Sequence, residues 1–198
     1  MAIKSQYVKP YFDSAVFISW LKDTDVGPSA PNGDDQIDRH PISERVIVQA
    51  EDGIYPIVTS YLTMAEVFKK KGDGNQPLSD TQNGKIVKYF ENEWIEWVPL
   101  ERLIGEDANA LLVKYRAAKL RPFDAIHLAS ALRAKCDVLL TWDGPLAAIN
   151  HPDIRIEFPE VFTPPSFAVQ TTLFSGGELI ESSTSHGMGA NSGQKESL

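Results

Sequence analysis

The sequence predicts an α/β fold in which a mostly parallel central sheet lies between two layers of helices. Short apolar runs alternate with segments of helical periodicity, most clearly where the helix that begins at Pro122 leads into Val138–Leu140. Continuous apolar runs are typical of strands that are covered on both faces. The 198 residues, 42% of them hydrophobic, suffice for one substantial core. We therefore expect one three-layer α/β/α domain.

The first half of the chain supplies two of the predicted strands. A strand is expected over residues 8–12, or only after Pro10 because proline cannot donate to a sheet ladder, and a helix over 14–22 follows it. The acids, prolines and glycines of residues 23–41 predict an acidic loop insertion. Beyond this loop the predicted elements are a helix over 42–51 capped by Ser43, a strand over 55–61 and a helix over 63–70.

The second half repeats the alternation. Apolar residues at turn spacing predict helices over 79–93 and 101–119, although Gly84 weakens the first by about 1 kcal/mol relative to alanine. The later strands are expected over 94–100, 137–141 and 154–158. We assign residues 1–162 to the domain and residues 163–198, which are rich in Pro, Ser and Gly, to a polar flexible tail.

Composition restricts the class of protein. The net charge of −8 argues against binding nucleic acid by bulk attraction. Much of this charge is local, because residues 23–44 hold six acids and a single arginine, Arg39. Without this segment and the tail, the rest of the chain is nearly neutral, which weakens the argument against nucleic acid. The lone Cys136 follows an apolar helical face and is expected to be a buried structural thiol. No run approaches the roughly 20 apolar residues of a membrane span. We expect a soluble, cytoplasmic protein.

Four acids fall where strands end or helices begin: Asp13, Glu66, Asp124 and Asp143. In an α/β protein these positions meet at the carboxyl edge of the sheet. Four carboxylates at one edge would repel each other unless cations neutralise them, and oxygen ligands of this kind suit Mg²⁺ or Mn²⁺. Such ions activate water for attack on a phosphodiester. The four acids therefore predict a metal-dependent nuclease site.

Each acid also has a purely structural explanation. Asp13 could cap the helix after the first strand, and Glu66 could form a capping box with Thr63. Asp124 suits the first turn of a helix because of the helix dipole. Asp143 opens an Asp-Gly-Pro turn, where aspartate is common.

The order of these motifs resembles the PIN domain, the nuclease fold of bacterial VapC-type toxins. The resemblance covers about residues 8–158 and rests on four segments: Asp13-Ser14, Thr63-Met-Ala-Glu66-Val67, Phe123-Asp124-Ala125 and Leu140-Thr141-Trp142-Asp143. It implies that the four acids bind the metal, and that Ser14 and Thr141 support them. The long separation between Asp13 and Glu66 departs from small PIN toxins, and the insertion 23–41 accounts for it.

The resemblance also implies an RNA substrate, an antitoxin protein as partner, and a homodimer. Lysines and arginines near the acids are candidates for holding phosphates, and we select Lys69, Lys119 and Arg121, although runs of charge are commonly solvated faces. His127, one helical turn after Asp124, has a spacing compatible with a metal ligand, but we expect a hydrogen-bonded structural histidine, and the resemblance implies that this position is not a general ligand. Trp142, next to Asp143, is the tryptophan that could stack on a base.

Three functions follow from these residues. The first is a metal-dependent endoribonuclease, as the toxin of a toxin-antitoxin pair. The second is a non-catalytic PIN-like module that binds RNA or a protein. The third, a phosphatase of the haloacid dehalogenase type, requires an Asp-x-Asp nucleophile motif, whereas this chain has Asp13-Ser14-Ala15.

Overall fold

A computed structural model describes residues 8–22, 24–31, 33–69 and 79–164, with only the backbone described at residue 69. These residues belong to one compact unit. The predicted tail from residue 165 onward lies outside the described residues, so its boundary and character stay predictions. No described helix is long and apolar enough to cross a membrane.

A five-stranded parallel sheet forms the centre of the domain, in the order β5-β4-β1-β6-β7. Its strands are β1 (Pro10–Phe12), β4 (Ile57–Ser60), β5 (Ile95–Val98), β6 (Val138–Leu140) and β7 (Arg155–Glu157). A two-stranded antiparallel sheet pairs β2 (Val26–Pro28) with β3 (Gln36–Asp38). The helices are α1 (Ser14–Leu21), α2 (His40–Glu51), α3 (Tyr61–Lys69), α4 (Asp80–Phe90), α5 (Arg102–Lys114), α6 (Pro122–Arg133) and α7 (Gly144–Ala147).

Apolar residues cover the central sheet on both faces, which confirms the predicted three-layer architecture. Phe12 belongs to a core with residues of α1, α2 and α4, whereas its neighbour Tyr11 belongs to a second core with residues of α5 and α6. Successive side chains of a strand point to opposite faces, so the two cores lie on opposite sides of β1. Cys136 is buried in the second core, as predicted.

The insertion 23–41 is not a simple loop. Residues 26–28 and 36–38 pair as a β-hairpin, with Val26 opposite Asp38 and Pro28 opposite Gln36. The prediction of a loop was wrong here because most of the hairpin side chains are exposed, which leaves no apolar alternation to mark the strands. The hairpin packs on the domain: a Cβ at Gly144 would lie 2.7 Å from the carbonyl oxygen of Pro31.

Several helix boundaries differ from the prediction. Helix α2 begins at His40, so Ser43 lies inside the helix and does not cap it. Helix α5 ends at Lys114, and a 3-10 helix over Arg116–Ala118 follows. Helix α4 keeps Gly84 and starts with a capping box between Ser79 and Gln82.

Candidate functional site

Asp13 follows the central strand of the sheet, between the ends of β4 and β6. The chain runs outward from β4 to β5 on one side of β1 and from β6 to β7 on the other, so this edge is the switch point where open parallel sheets bind ligands. Asp13 is 4% exposed, and it forms no side-chain cap to α1 although it occupies the cap position. The explanation of Asp13 as a helix cap is therefore wrong, and its carboxylate is available to the site.

Two hydroxyl groups fix the Asp13 carboxylate. Thr141 donates to Oδ2 over 2.6 Å, and Ser14 donates to Oδ1 over 3.2 Å. The same Thr141 oxygen accepts the backbone N–H of Asp143 over 2.9 Å. Thr141 thus links the loops that carry two of the acids, and both hydroxyls that the resemblance implied contact Asp13.

Glu66 lies on the second turn of α3, which begins at Tyr61. Thr63 is consequently inside the helix, and its hydroxyl is hydrogen-bonded to that of Thr59 over 2.7 Å. The capping-box explanation of Glu66 is wrong for this reason. Oε2 of Glu66 lies instead 2.7 Å from Nε2 of His127, in the site.

His127 lies between Asp13 and Glu66. It is 1% exposed, its Nδ1 lies 2.8 Å from the Tyr11 hydroxyl, and its Nε2 lies 3.2 Å from Oδ1 of Asp13. Burial lowers the pKa of the imidazole, but the charge of Asp13 and the hydrogen bond with Glu66 outweigh burial and raise the pKa above its ordinary value. The predicted hydrogen-bonded, buried histidine is confirmed, but its partners are two of the predicted metal ligands.

Arg121 joins the other two acids. Its Nε and Nη2 atoms donate to both oxygens of Asp124, over 2.7 Å and 3.2 Å, and Nη2 also donates to Oδ2 of Asp143 over 2.5 Å. Asp143 Oδ1 accepts the N–H of Leu146 and caps α7, so the structural explanation holds for that oxygen. Burial raises the pKa of Asp124, and the bonds from Arg121 offset this only in part.

All four acids line one cleft of about 660 Å³. Lys22, Asp25 and Arg39 line it from α1 and the hairpin, and Phe123, 52% exposed, lines it from α6. Of the predicted phosphate contacts, Arg121 lines the cleft, whereas Lys119 is exposed and is not among the lining residues. The side chain of Lys69 lies outside the described residues.

Trp142 is buried in the cleft wall and is not a stacking platform. Its Nε1–H donates to the Ser43 hydroxyl over 2.8 Å, and the Arg39 guanidinium covers the ring at 4.8 Å from its centroid.

The sequence did not predict that Lys22, Arg39 and Tyr11 belong to the site or contact its residues. Arg39 follows a run of acids and Tyr11 lies in an apolar strand, so neither position carried a signal of the site.

The residues of the cleft fit a divalent cation. Among the described residues, one group of possible ligands has atoms within 4.8 Å of one another, namely Asp13, Glu66 and His127. Asp124 and Asp143 are close enough to share the guanidinium of Arg121, so this pair already holds a cationic group. Carboxylate oxygens, with an imidazole beside them, match the preference of Mg²⁺ and Mn²⁺ for oxygen ligands.

The fold and the acidic edge define an α/β domain with a cleft lined by four carboxylates, and the comparisons identify its family. The sequence profile of the PIN domain matches residues 37–151, more than half of the chain, so the protein belongs to the PIN domain family. The match includes Glu66, Asp124 and Asp143, and it begins after Asp13. No curated protein matches the sequence.

A solved structure shares the fold. It is VapC20 of Mycobacterium tuberculosis, described as a toxin that cleaves the sarcin-ricin loop, and it superposes with a TM-score of 0.54 at 14% sequence identity. The match covers 74% of this chain and 99% of VapC20. At this identity the similarity establishes the fold and not the substrate.

Proposed function

We propose that the protein is a metal-dependent endoribonuclease. The observation that carries the proposal is the placement of Asp13, Glu66, Asp124 and Asp143 around one cleft at the carboxyl edge of the sheet. Helix capping explains the position of one carboxylate oxygen of Asp143. It does not explain the positions of Asp13 and Glu66. A cleft lined by two buried carboxylates, Asp13 and Asp124, and by the half-buried Glu66 and Asp143 is costly without cations, which supports a role for a bound metal.

In this proposal the four acids hold Mg²⁺ or Mn²⁺. Such an ion, when bound, activates water and stabilises the charge that develops on an attacked phosphodiester. The protein supplies the orientation: Thr141 and Ser14 hold the Asp13 carboxylate, and Tyr11 holds the imidazole that faces Glu66. Preorganised groups of this kind lower the barrier because they need no rearrangement during the reaction.

Arg121 contributes a positive charge at the edge of the site. Its side chain is 62% exposed while its guanidinium is bound to Asp124 and Asp143. With these two acids engaged by a metal, the Arg121 guanidinium would be free to donate to a phosphate oxygen, and planar guanidinium groups suit bidentate phosphate contacts. Lys69 and Lys119 remain further candidates for contacts to the RNA backbone.

The test of this proposal is cleavage of a single-stranded RNA by the purified protein in Mg²⁺, beside Asp13→Asn and Asp124→Asn. We expect the wild-type protein to cleave and both variants to lose activity. Equal activity in all three proteins would contradict the proposal. RNA binding without cleavage by the wild type would favour the alternative, a non-catalytic PIN-like module.

We also propose that the protein is the toxin of a toxin-antitoxin pair. The family membership and the similarity to the toxin VapC20 support this role. It implies cytoplasmic RNA as the target, an antitoxin that occludes the cleft, and assembly as a homodimer. A short open reading frame adjoining the gene, whose product suppresses cleavage and growth arrest, is the expected observation, and expression without growth arrest would contradict the toxin role.

A further inference from the structure

The hairpin insertion places one arginine in the cleft. Arg39 follows β3 directly and lines the cleft together with the four acids. Its guanidinium lies 4.8 Å from the ring centroid of Trp142 and 5.5 Å from that of Phe158. Because Trp142 immediately precedes Asp143, the guanidinium lies on the Asp143 side of the site. The basic group belongs to the insertion and not to the common sheet.

The hairpin holds this guanidinium in place. Nη2 of Arg39 donates to the carbonyl oxygen of Pro28 over 3.0 Å, across the hairpin. A Cβ atom at Gly27 would lie 2.4 Å from Cζ of Arg39, so the absence of a side chain at Gly27 makes room for the guanidinium. An arginine that stacks on an aromatic ring and bonds to a carbonyl has lost part of its side-chain freedom before any ligand binds.

Arg39 differs from Arg121 and Lys22, the other basic side chains among the described residues that line the cleft. Arg121 is bound to Asp124 and Asp143, and Lys22 is bound to Asp25 over 2.5 Å. In the part of the chain that the structure describes, Arg39 forms no ion pair, and its Nε is buried without a hydrogen-bond partner. Burial lowers the pKa of the Arg39 guanidinium, and the charge of Asp25 counteracts this only in part.

A partly desolvated cation that forms no ion pair is unfavourable, and an anionic ligand in the cleft would offset the cost that the charge of Asp25 leaves. We infer that Arg39 binds a backbone phosphate of the RNA on the Asp143 side of the cleft, so that the insertion is a substrate-binding element. This inference rests on the proposed function, since it takes the ligand to be a phosphodiester.

The experiment measures binding of a fluorescein-labelled single-stranded RNA by anisotropy, in Mg²⁺ and in the cleavage-deficient Asp13→Asn background. We compare this parent with added Arg39→Gln, Arg39→Lys and Arg45→Gln. Arg45 is the matched control, because it lies on α2, donates to backbone carbonyls of Pro159 and Glu160, and does not line the cleft. Circular dichroism checks that each variant is folded.

We expect Arg39→Gln to weaken RNA binding roughly ten-fold or more, as for loss of a hydrogen bond to a charged group. The slope of log affinity against log salt concentration should fall by about one, the effect of one lost phosphate contact. Arg39→Lys should restore part of the affinity, and Arg45→Gln should bind like the parent. If Arg39→Gln does not fold, Gly27→Ala is measured instead, which displaces the guanidinium and should weaken binding while the charge is kept.

Arg39→Gln binding within two-fold of the parent, with an unchanged salt slope, would overturn the inference, and so would a parent that does not bind RNA. Cleavage by the wild-type protein is measured separately. RNA binding that depends on Arg39 in a protein that never cleaves RNA would overturn the nuclease proposal and leave the role of Arg39 intact. The two failures are therefore distinguishable.

Discussion

Nε2 of His127 lies 2.7 Å from Oε2 of Glu66, although 61 residues separate the two in the chain. The other ring nitrogen lies 2.8 Å from the hydroxyl of Tyr11, which is fully buried. The simplest assignment has the Tyr11 hydroxyl donating to Nδ1 and the Nε2–H donating to Glu66. His127 therefore couples a buried strand residue to an acid at the cleft, and it holds Glu66 in position.

Replacing His127 tests this coupling. His127→Leu removes both hydrogen bonds of the imidazole, one of them with the buried Tyr11 hydroxyl, so we expect the free energy of unfolding to fall by about 2–3 kcal/mol. Tyr11→Phe removes the hydroxyl itself and should cost less. In urea denaturation the double variant should be more stable than the sum of the single effects predicts. Additive effects would show that the two side chains are not coupled.

The pKa of Asp124 makes stability depend on pH. Burial raises this pKa above its ordinary value of 3.8, so the folded state binds the proton more tightly than the unfolded state. The resulting stabilisation is present below that ordinary value and is lost as pH rises through the folded-state pKa. In metal-free protein, Asp124→Asn should therefore gain stability relative to the wild type as the pH rises from about 4 to 7. Urea denaturation in EDTA measures the free energy of unfolding of both proteins at each pH. A difference between the variant and the wild type that is constant, or that falls as the pH rises, would contradict the prediction.

Alanine substitutions at two glycines distinguish the effect of hairpin docking on stability from the effect of helix propensity. A Cβ at Gly144 would lie 2.7 Å from the Pro31 carbonyl oxygen, whereas a Cβ at Gly105 in α5 would meet no atom within 4 Å. We expect Gly144→Ala to destabilise the protein by about 1–3 kcal/mol because the hairpin must move. Gly105→Ala should stabilise it by about 1 kcal/mol. Thermal unfolding of both variants checks the pair, and similar shifts of the same sign would show that the hairpin does not pack on α7.

Cys136 should be unreactive in the folded protein. Burial raises the pKa of its thiol to about 12, and its side chain lies in the core beneath α5 and α6. Because the thiolate is the reactive form, alkylation by iodoacetamide at pH 8 should be slow in buffer and fast in urea. Mass spectrometry follows the reaction. Rapid labelling of the native protein would place the thiol at the surface.

The sequence was sufficient to predict the sheet and the convergence of four acids at one edge of it, because both depend on local patterns. Val138–Leu140 is apolar because both faces of β6 are covered, and Asp13, Asp124 and Asp143 lie next to element ends that the pattern marks. The hairpin was missed because exposed strands of three residues, broken by Gly27 and Pro28, leave no alternation to detect.

The contacts within the site depend on the tertiary structure, and the sequence could not predict them. Helical spacing placed His127 one turn from Asp124, yet its hydrogen-bond partners come from β1 and α3. Arg121 was selected as a phosphate contact from its position near Asp124, but its bond to Asp143 depends on how α6 packs beside β6. Arg39 reaches the cleft through the fold of the hairpin, for which no local pattern exists.

The most direct test of the central claim is Mn²⁺ binding by calorimetry, with RNA cleavage measured on the same samples. The samples are the wild type, the single variants Asp13→Asn, Glu66→Gln, Asp124→Asn and Asp143→Asn, and the control Glu101→Gln, an exposed acid outside the cleft. We expect the wild type and the control to bind Mn²⁺ and cleave RNA. The four site variants should bind it more weakly and cleave roughly 100-fold more slowly or worse, as the loss of about 3 kcal/mol of transition-state stabilisation implies. Undiminished Mn²⁺ binding and cleavage in the four site variants would contradict the claim that these acids form one metal-dependent nuclease site.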